Sequence, residues 1–238
     1  AKVSDSHISD MESGEGYDRS TLELLGRQRE LIREVGKLNK PIVLVLIKGR
    51  PLLLEGIEAE VDAIVDAWYP GMQGGNAVAD VLFGDYNPAG KLPVTFYRNV
   101  SQLPDFEDYN MTGRTYRYMQ DVPLFPFGYG LSYTTFGYGK TVLDKNELTA
   151  GQSLKLTVPV TNTGKRNGEE VVQVYLRKQG DAEGPIKTLR AFKRVSIPAG
   201  KTVNVEFDLK DKELEWWDDQ SNTVRVCPGN YDIMVGGS

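Results

Sequence analysis

The run from Pro41 to Gly49, Pro-Ile-Val-Leu-Val-Leu-Ile-Lys-Gly, decides how the first half of this chain folds. Its apolar stretch, Ile42 to Ile47, is strand length and far short of the roughly 20 residues that span a bilayer. A strand that is apolar at every position must be covered on both faces, which describes the centre of a parallel sheet. Upstream, Leu31, Ile32, Val35 and Leu38 recur at helical spacing between Arg27 and Leu38, with Arg and Glu on the other side. Lys40-Pro41 ends that helix, because proline removes a donor and restricts the residue before it. Ser20-Thr21-Leu22-Glu23 has the spacing of a capping box, with Gly26 delaying the regular helix by a turn. Downstream, Gly49 to Glu60 leads to a second apolar segment, Val61 to Trp68. The glycines of "GMQGGNAVADVLFG" then precede Ala77, Val78, Val81, Leu82 and Phe83 at helical spacing. This alternation predicts an α/β arrangement. A doubly wound sheet opens with a strand and builds its centre from several, yet only two strong strands precede residue 100. The first half of this domain is therefore expected to be missing or to lie in another polypeptide.

From Asn99 to Pro126 the periodicity lapses, and Asp, Asn, Tyr, Pro and Arg dominate. Loops this long in compact domains are often functional, and the aromatics between Phe106 and Tyr118 favour an ordered segment over a flexible one. After Gly137 the pattern becomes all-β. Leu154, Leu156, Val158 and Val160 alternate with polar neighbours, and Asn162 to Gly164 supplies a turn. "EEVVQVYLR", "TLRAFKRVSIPAG", "KTVNVEFDL" and "GNYDIMVGG" follow at short spacing, which predicts an immunoglobulin-like or fibronectin type III-like β-sandwich. The expected domains are 1–137, the later part of an α/β sandwich with its long loop, and 138–238, the β-sandwich.

Composition narrows the function classes. A net charge of −5 and a pI near 5.1, with no basic run, argue against a nucleic-acid partner. The absence of a long apolar run argues against a membrane partner. One cysteine, Cys227, excludes an internal disulfide and a cysteine-rich metal site, and reads as a small buried hydrophobe. No metal and no cofactor are expected. "GMQGG" lacks the Gly-Lys-Ser/Thr of a phosphate loop and reads as a strand-to-helix turn. "NPAG" and "GKLP" read as turns that fix the chain's course.

Three motifs carry a resemblance. "WYPGMQGGNAVADVLFGDYNPAGKLPVTFY" (68–97), "GRTYRY" (113–118) and "PFGYGLSYTTF" (126–136), in that order, closely resemble the C-terminal portion of glycoside hydrolase family 3. The likeness covers nearly the whole chain. It implies a three-part enzyme: a (β/α)8 barrel carrying a nucleophilic aspartate, an α/β sandwich, and a fibronectin-like domain. This chain looks like the second half of the sandwich plus the last domain. The implied activity is retaining, exo-acting hydrolysis of terminal β-D-glucosyl or β-D-xylosyl residues of plant-derived oligosaccharides. The implied partners are an oligosaccharide or aryl glycoside and the barrel, on another chain or a missing segment. A homodimer is also among the expected partners, and a periplasmic or extracellular location follows from polymeric substrates. The alternative is a non-catalytic carbohydrate-binding or scaffolding module.

The resemblance also gives meaning to "ESGEGYDR" (12–19). In family members the general acid/base is a glutamate on a loop of the α/β sandwich, set in Ser-Gly-Glu-Gly followed by Asp-Arg. Glu15 matches that position and Glu12 is the reserve candidate. Gly14 and Gly16 leave the backbone free to approach sugar and barrel closely. From the residues alone, Glu15 reads first as a solvated loop acid, with Arg19 paired to Asp18 or a neighbour. Arg114 and Arg117 are expected in domain-interface salt bridges. Phe127, Tyr129 and Tyr133 are expected in packing. Of Trp216 and Trp217, adjacent on a strand, one is expected buried and one exposed.

Overall fold

The structure is a computed structural model that describes residues 21–237. Two compact units are present. The first takes the described part of Ala1–Asp85 with Val94–Arg114 and Gln120–Pro126; the second takes Tyr86–Pro93, Thr115–Met119 and the described part of Phe127–Ser238.

In the first unit, helix α1 (Gln28–Gly36) begins at an Arg27–Glu30 pair, whose fork closes with nitrogen–oxygen distances of 2.7 and 2.6 Å. It stops where Asn39 turns left-handed at φ 48°, ahead of Pro41. Residues 21–25 are not helical; Thr21 Oγ1 instead accepts the Glu23 N–H at 3.1 Å, while Ser20 lies outside the described residues. Strands β1 (Val43–Leu46) and β2 (Ala63–Asp66) pair in parallel from Val43↔Ala63 to Leu46↔Asp66. The crossover between them buries Leu53, Leu54 and Ile57. Helix α2 (Gly74–Phe83) follows and is capped by Gly84 in the left-handed region, φ 82°. "GMQGG" is thus a strand-to-helix turn.

One expectation changes. Full cover on both faces of β1 is not found among the described residues: β2 is its one neighbour there, and Val43 and Ile47 are exposed. On α1, Ile32 is buried while Leu31 and Leu38 remain 63% and 65% exposed. Two strands and two helices supply too little surface to cover such apolar faces, so the missing cover needs more sheet than the described residues hold.

The second unit opens with the short helix α3 (Thr115–Tyr118) and continues through β3 (Phe136–Tyr138), β4 (Val142–Leu143), β5 (Leu154–Asn162), β6 (Gly168–Lys178), β7 (Thr188–Ile197) and β8 (Thr202–Leu209). Helix α4 (Asp211–Leu214), the hairpin β9 (Glu215–Asp218) and β10 (Thr223–Val226), and β11 (Tyr231–Gly236) complete it. In one sheet β5 pairs with β8 on one side and with β3 and β4 on the other; the second sheet runs β11-β6-β7. Period-two alternation sends Leu154, Leu156, Val158 and Val160 inward against Val172, Val174, Ile197, Val205, Phe207 and Leu209, the core of the sandwich.

Asn162 closes that core at the turn the sequence marks. Its amide donates to Arg166 O at 2.7 Å and Ile197 O at 2.9 Å, and its carbonyl accepts from Thr134 Oγ1 at 2.6 Å and Gly164 N at 3.1 Å. "GKLP" and "PFGYG" lie side by side: Leu92 N donates to Tyr129 O and Gly128 N to Leu92 O, both at 2.8 Å. A Cβ at Gly130 would stand 2.1 Å from Gly90 O, so the approach requires glycine. Lys91 Nζ donates to Gly130 O at 2.9 Å and lies 3.3 Å from the buried Glu170 carboxylate.

Three phenols in this unit hold their protons unusually tightly. Burial raises Tyr138, with the Glu170 carboxylate adding to it; burial raises Tyr175; and burial pushes Tyr231 up to about 12. Each folded-state value lies above the ordinary tyrosine value of about 10, so their stabilising contribution is complete below that pH and is lost as pH rises through the folded values. The melting midpoint is expected to hold to about pH 9.5 and to fall between about pH 10 and 12, with Tyr231→Phe reducing that alkaline slope. A flat profile to pH 12 contradicts this.

Candidate functional site

In open α/β sheets ligands approach the carboxyl ends of the strands, where the connecting loops meet. In the first unit that edge is the end of β1 and β2. Lys48 follows β1, Asp66 closes β2, and their side chains meet at 2.7 Å, the lysine 6% and the aspartate 15% exposed. The ammonium stands 4.1 Å from the Trp68 ring centroid and 4.5 Å from that of Phe96. Burial lowers the Lys48 proton affinity, while the Asp66 hydrogen bond and charge oppose the shift. A charge enclosed this way persists because carboxylate and ring faces replace the lost water.

The pair holds a strained corner. Trp68 sits at φ 52°, a region a bulky residue enters only when its surroundings force it. Two contacts force it here: Lys48 N donates to Trp68 O at 3.1 Å, and Trp68 N donates to Asp66 Oδ1 at 3.4 Å. Beyond the corner Tyr69 and Met72 face outward, 68% and 98% exposed. Gly49 leaves room for Tyr69, since a Cβ there would stand 2.5 Å from the ring. The corner can therefore present an aromatic face to a ligand. Asp66→Asn, which strands the buried ammonium, is expected to cost about 3 kcal/mol in denaturant unfolding, and Lys48→Met with Asp66→Leu far less. Equal losses would show that the charge pairing is not what holds the corner.

The sequence did not flag Lys48 or Asp66, because a lysine after an apolar run reads as a strand end. Their signal is the coincidence of opposite charges at the ends of two adjacent parallel strands. Glu15 and Glu12, the expected acid/base and its reserve, lie outside the described residues. The long loop is knitted from within: Arg114 donates to Asn110 O at 2.9 Å, to Asp105 O at 3.2 Å and to Asp108 O. The expected interface salt bridges are not found, since among the described residues neither Arg114 nor Arg117 pairs with a carboxylate. A loop whose carbonyls lack strand partners draws the guanidinium of Arg114 onto itself. In the second unit, Phe127 stacks on Tyr116 at 4.1 Å. Trp216 is buried with its indole N–H on Asp181, Trp217 is exposed, and Cys227 is buried and free. Among the described residues no group of three or more His, Cys, Asp or Glu side chains is placed to hold a metal ion.

The profile of the glycosyl hydrolase family 3 C-terminal domain matches residues 3–133, and that of the fibronectin type III-like domain matches residues 170–238. A xylan 1,4-beta-xylosidase of Xylanibacter ruminicola is 50% identical over 96% of this chain and 26% of its own length. A periplasmic beta-glucosidase of Salmonella typhimurium is 39% identical over 93% of this chain and 31% of its own length. The solved structure of a beta-glucosidase from Erythrobacter marinus superposes with a TM-score of 0.82 at 43% identity, covering 93% of this chain and 30% of that one. The chain thus spans about a quarter to a third of the relatives it matches. With an α/β unit ahead of a β-sandwich, and these matches across both, the chain belongs to glycoside hydrolase family 3.

Proposed function

We propose that this chain is part of a retaining, exo-acting β-glycosidase, to which it supplies the general acid/base through Glu15, with Glu12 in reserve. The observation that carries the reading is the 50% identity to a xylan 1,4-beta-xylosidase across 96% of the chain, with Glu15 inside the family-matched residues 3–133. The substrate class is terminal β-D-xylosyl or β-D-glucosyl residues of oligosaccharides. The α/β portion, 1–137, carries the donor, and residues 138–238 form the β-sandwich that follows it. The uncovered apolar faces of α1 and β1 support a partner region beyond the described residues.

The chemistry requires two carboxyl groups roughly 5 Å apart. A barrel aspartate attacks the anomeric carbon while protonated Glu15 gives its proton to the departing glycosidic oxygen, so that the C–O bond breaks without releasing an alkoxide. Enclosure against the sugar and the neighbouring carboxylate keeps Glu15 protonated at that stage. Once the aspartate is esterified its charge is gone, the glutamate becomes more acidic, and as carboxylate it takes a proton from the water that hydrolyses the glycosyl-enzyme. The name of the Salmonella relative supports a periplasmic or extracellular location.

The full-length polypeptide is expected to hydrolyse p-nitrophenyl β-D-xyloside or β-D-glucoside, with the β-anomer formed first by proton NMR. The 238-residue chain alone is expected to be inactive until the barrel region is added. An α-anomer formed first, or equal activity without the barrel, would overturn the proposal.

A further inference from the structure

Arg190 stands at an irregularity in the second sheet. Val174 pairs with Ala191 whereas Tyr175 pairs with Leu189, leaving Arg190 without an opposite residue. Such a bulge re-aims the side chain it frees. The guanidinium turns to the Trp216 ring, 5.2 Å from its centroid, and donates to Glu215 O. Arg117 reaches the same place from α3, which lies against the start of β7: Ile186 N donates to Arg117 O at 2.6 Å, and Leu189 N to the Tyr116 hydroxyl oxygen at 3.1 Å.

Two cations are thus drawn together and away from water. Burial lowers the proton affinity of Arg190, and the nearby Arg117 lowers it further. Among the described residues no carboxylate oxygen lies within ion-pairing distance of either guanidinium. Among the described residues the Nε of each is buried without a hydrogen-bond partner, and so is the hydroxyl of Thr188, a residue only 8% exposed and two positions from Arg190 on β7. Ring faces offset part of the desolvation: Trp216 for Arg190, and Tyr118, whose centroid is 5.6 Å from the guanidinium, for Arg117. Glu215, Tyr116 and Tyr231 oppose the repulsion from Arg117 without reversing it, and the buried donors stay empty among the described residues. What relieves both at once is an oxyanion shared between the guanidinium groups.

We infer that Arg117 and Arg190, with the Thr188 hydroxyl, hold a carboxylate group. A planar carboxylate matches the guanidinium fork, and its second oxygen serves the other arginine. The group comes either from a soluble acid such as a uronic acid or from an acidic side chain of the longer polypeptide outside the described residues.

The test is thermal unfolding of the full-length polypeptide in sodium glucuronate against sodium chloride at matched ionic strength. At about 50 mM glucuronate the wild-type midpoint is expected to rise by about 3 °C. Arg117→Gln and Arg190→Gln are expected to abolish the rise, while Arg225→Gln, on an exposed residue paired with Asp218, retains it. If either Gln variant does not fold, Arg190→Lys keeps the charge, removes the fork and also loses the response. A wild type that does not respond, but whose crystal structure shows an acidic side chain bonded to both guanidinium groups, assigns the site to the polypeptide's own carboxylate. No response together with only water and ring contacts at both arginines overturns the inference, as does a rise that persists in Arg190→Gln.

Discussion

Glu15→Gln in the full-length polypeptide is expected to lower kcat/KM on a xylo- or cello-oligosaccharide by about 10²- to 10⁴-fold, the range associated with one positioned proton donor. The size of the loss depends on the leaving group. A sugar hydroxyl departs poorly without a proton, whereas a dinitrophenolate departs unaided, so the first chemical step on a dinitrophenyl glycoside is expected to change by less than about tenfold. With that substrate the second step becomes slow instead, because the same carboxylate must activate the water, and a burst of dinitrophenolate is expected to precede a slow steady state. Glu12→Gln is expected to leave both substrates within about threefold of wild type. If the burst and the leaving-group dependence follow Glu12, the two residues exchange roles; if neither variant shows them, the donor is not on this loop.

The largest stability effect is expected at Asn162. Its side chain is fully enclosed and both ends of the amide are used, with Arg166 O and Ile197 O accepting from one end and Thr134 Oγ1 and Gly164 N donating to the other. Alanine removes every partner at once. At 1 to 3 kcal/mol for each buried group left unsatisfied, and with water refilling part of the site, Asn162→Ala is expected to cost about 4 kcal/mol in denaturant unfolding. Asn162→Asp is expected to cost a similar amount, because a carboxylate cannot donate to the two carbonyls and would be charged in the core. A loss below about 1 kcal/mol for both would mean that the turn is held by its backbone alone.

The β-sandwich was legible because Leu154 to Val160 alternate without a break, and a one-residue slip would turn the whole apolar set to solvent. The α/β unit was legible in type but not in environment. The period of α1 predicts which residues share a stripe, and Ile32 lies buried on it, yet periodicity cannot say that Leu31 and Leu38 lack cover among the described residues. The surroundings of Arg114 were illegible for a related reason. Sequence gives its charge but not the carbonyls that a loop without strands leaves unfilled, which are its partners among the described residues. Lys48 and Asp66 were invisible because their meeting depends on the parallel register of β1 and β2, which places Asp66 beside Leu46. Arg117 and Arg190 depend on a bulge that no pattern of residue types announces. The candidate acid/base could be named only through the family motif, and Glu15 and Glu12 lie outside the described residues.

The most direct test of the central claim is azide rescue of Glu15→Ala in the full-length polypeptide. A small anionic nucleophile needs no general base, so it can discharge a glycosyl-enzyme that water cannot. With a dinitrophenyl β-glycoside, azide is expected to raise turnover by at least about tenfold and to yield the β-glycosyl azide, with wild type giving none. Turnover that azide leaves unchanged, or a glycosyl azide of α configuration, would contradict the placement of Glu15 as acid/base of a retaining glycosidase.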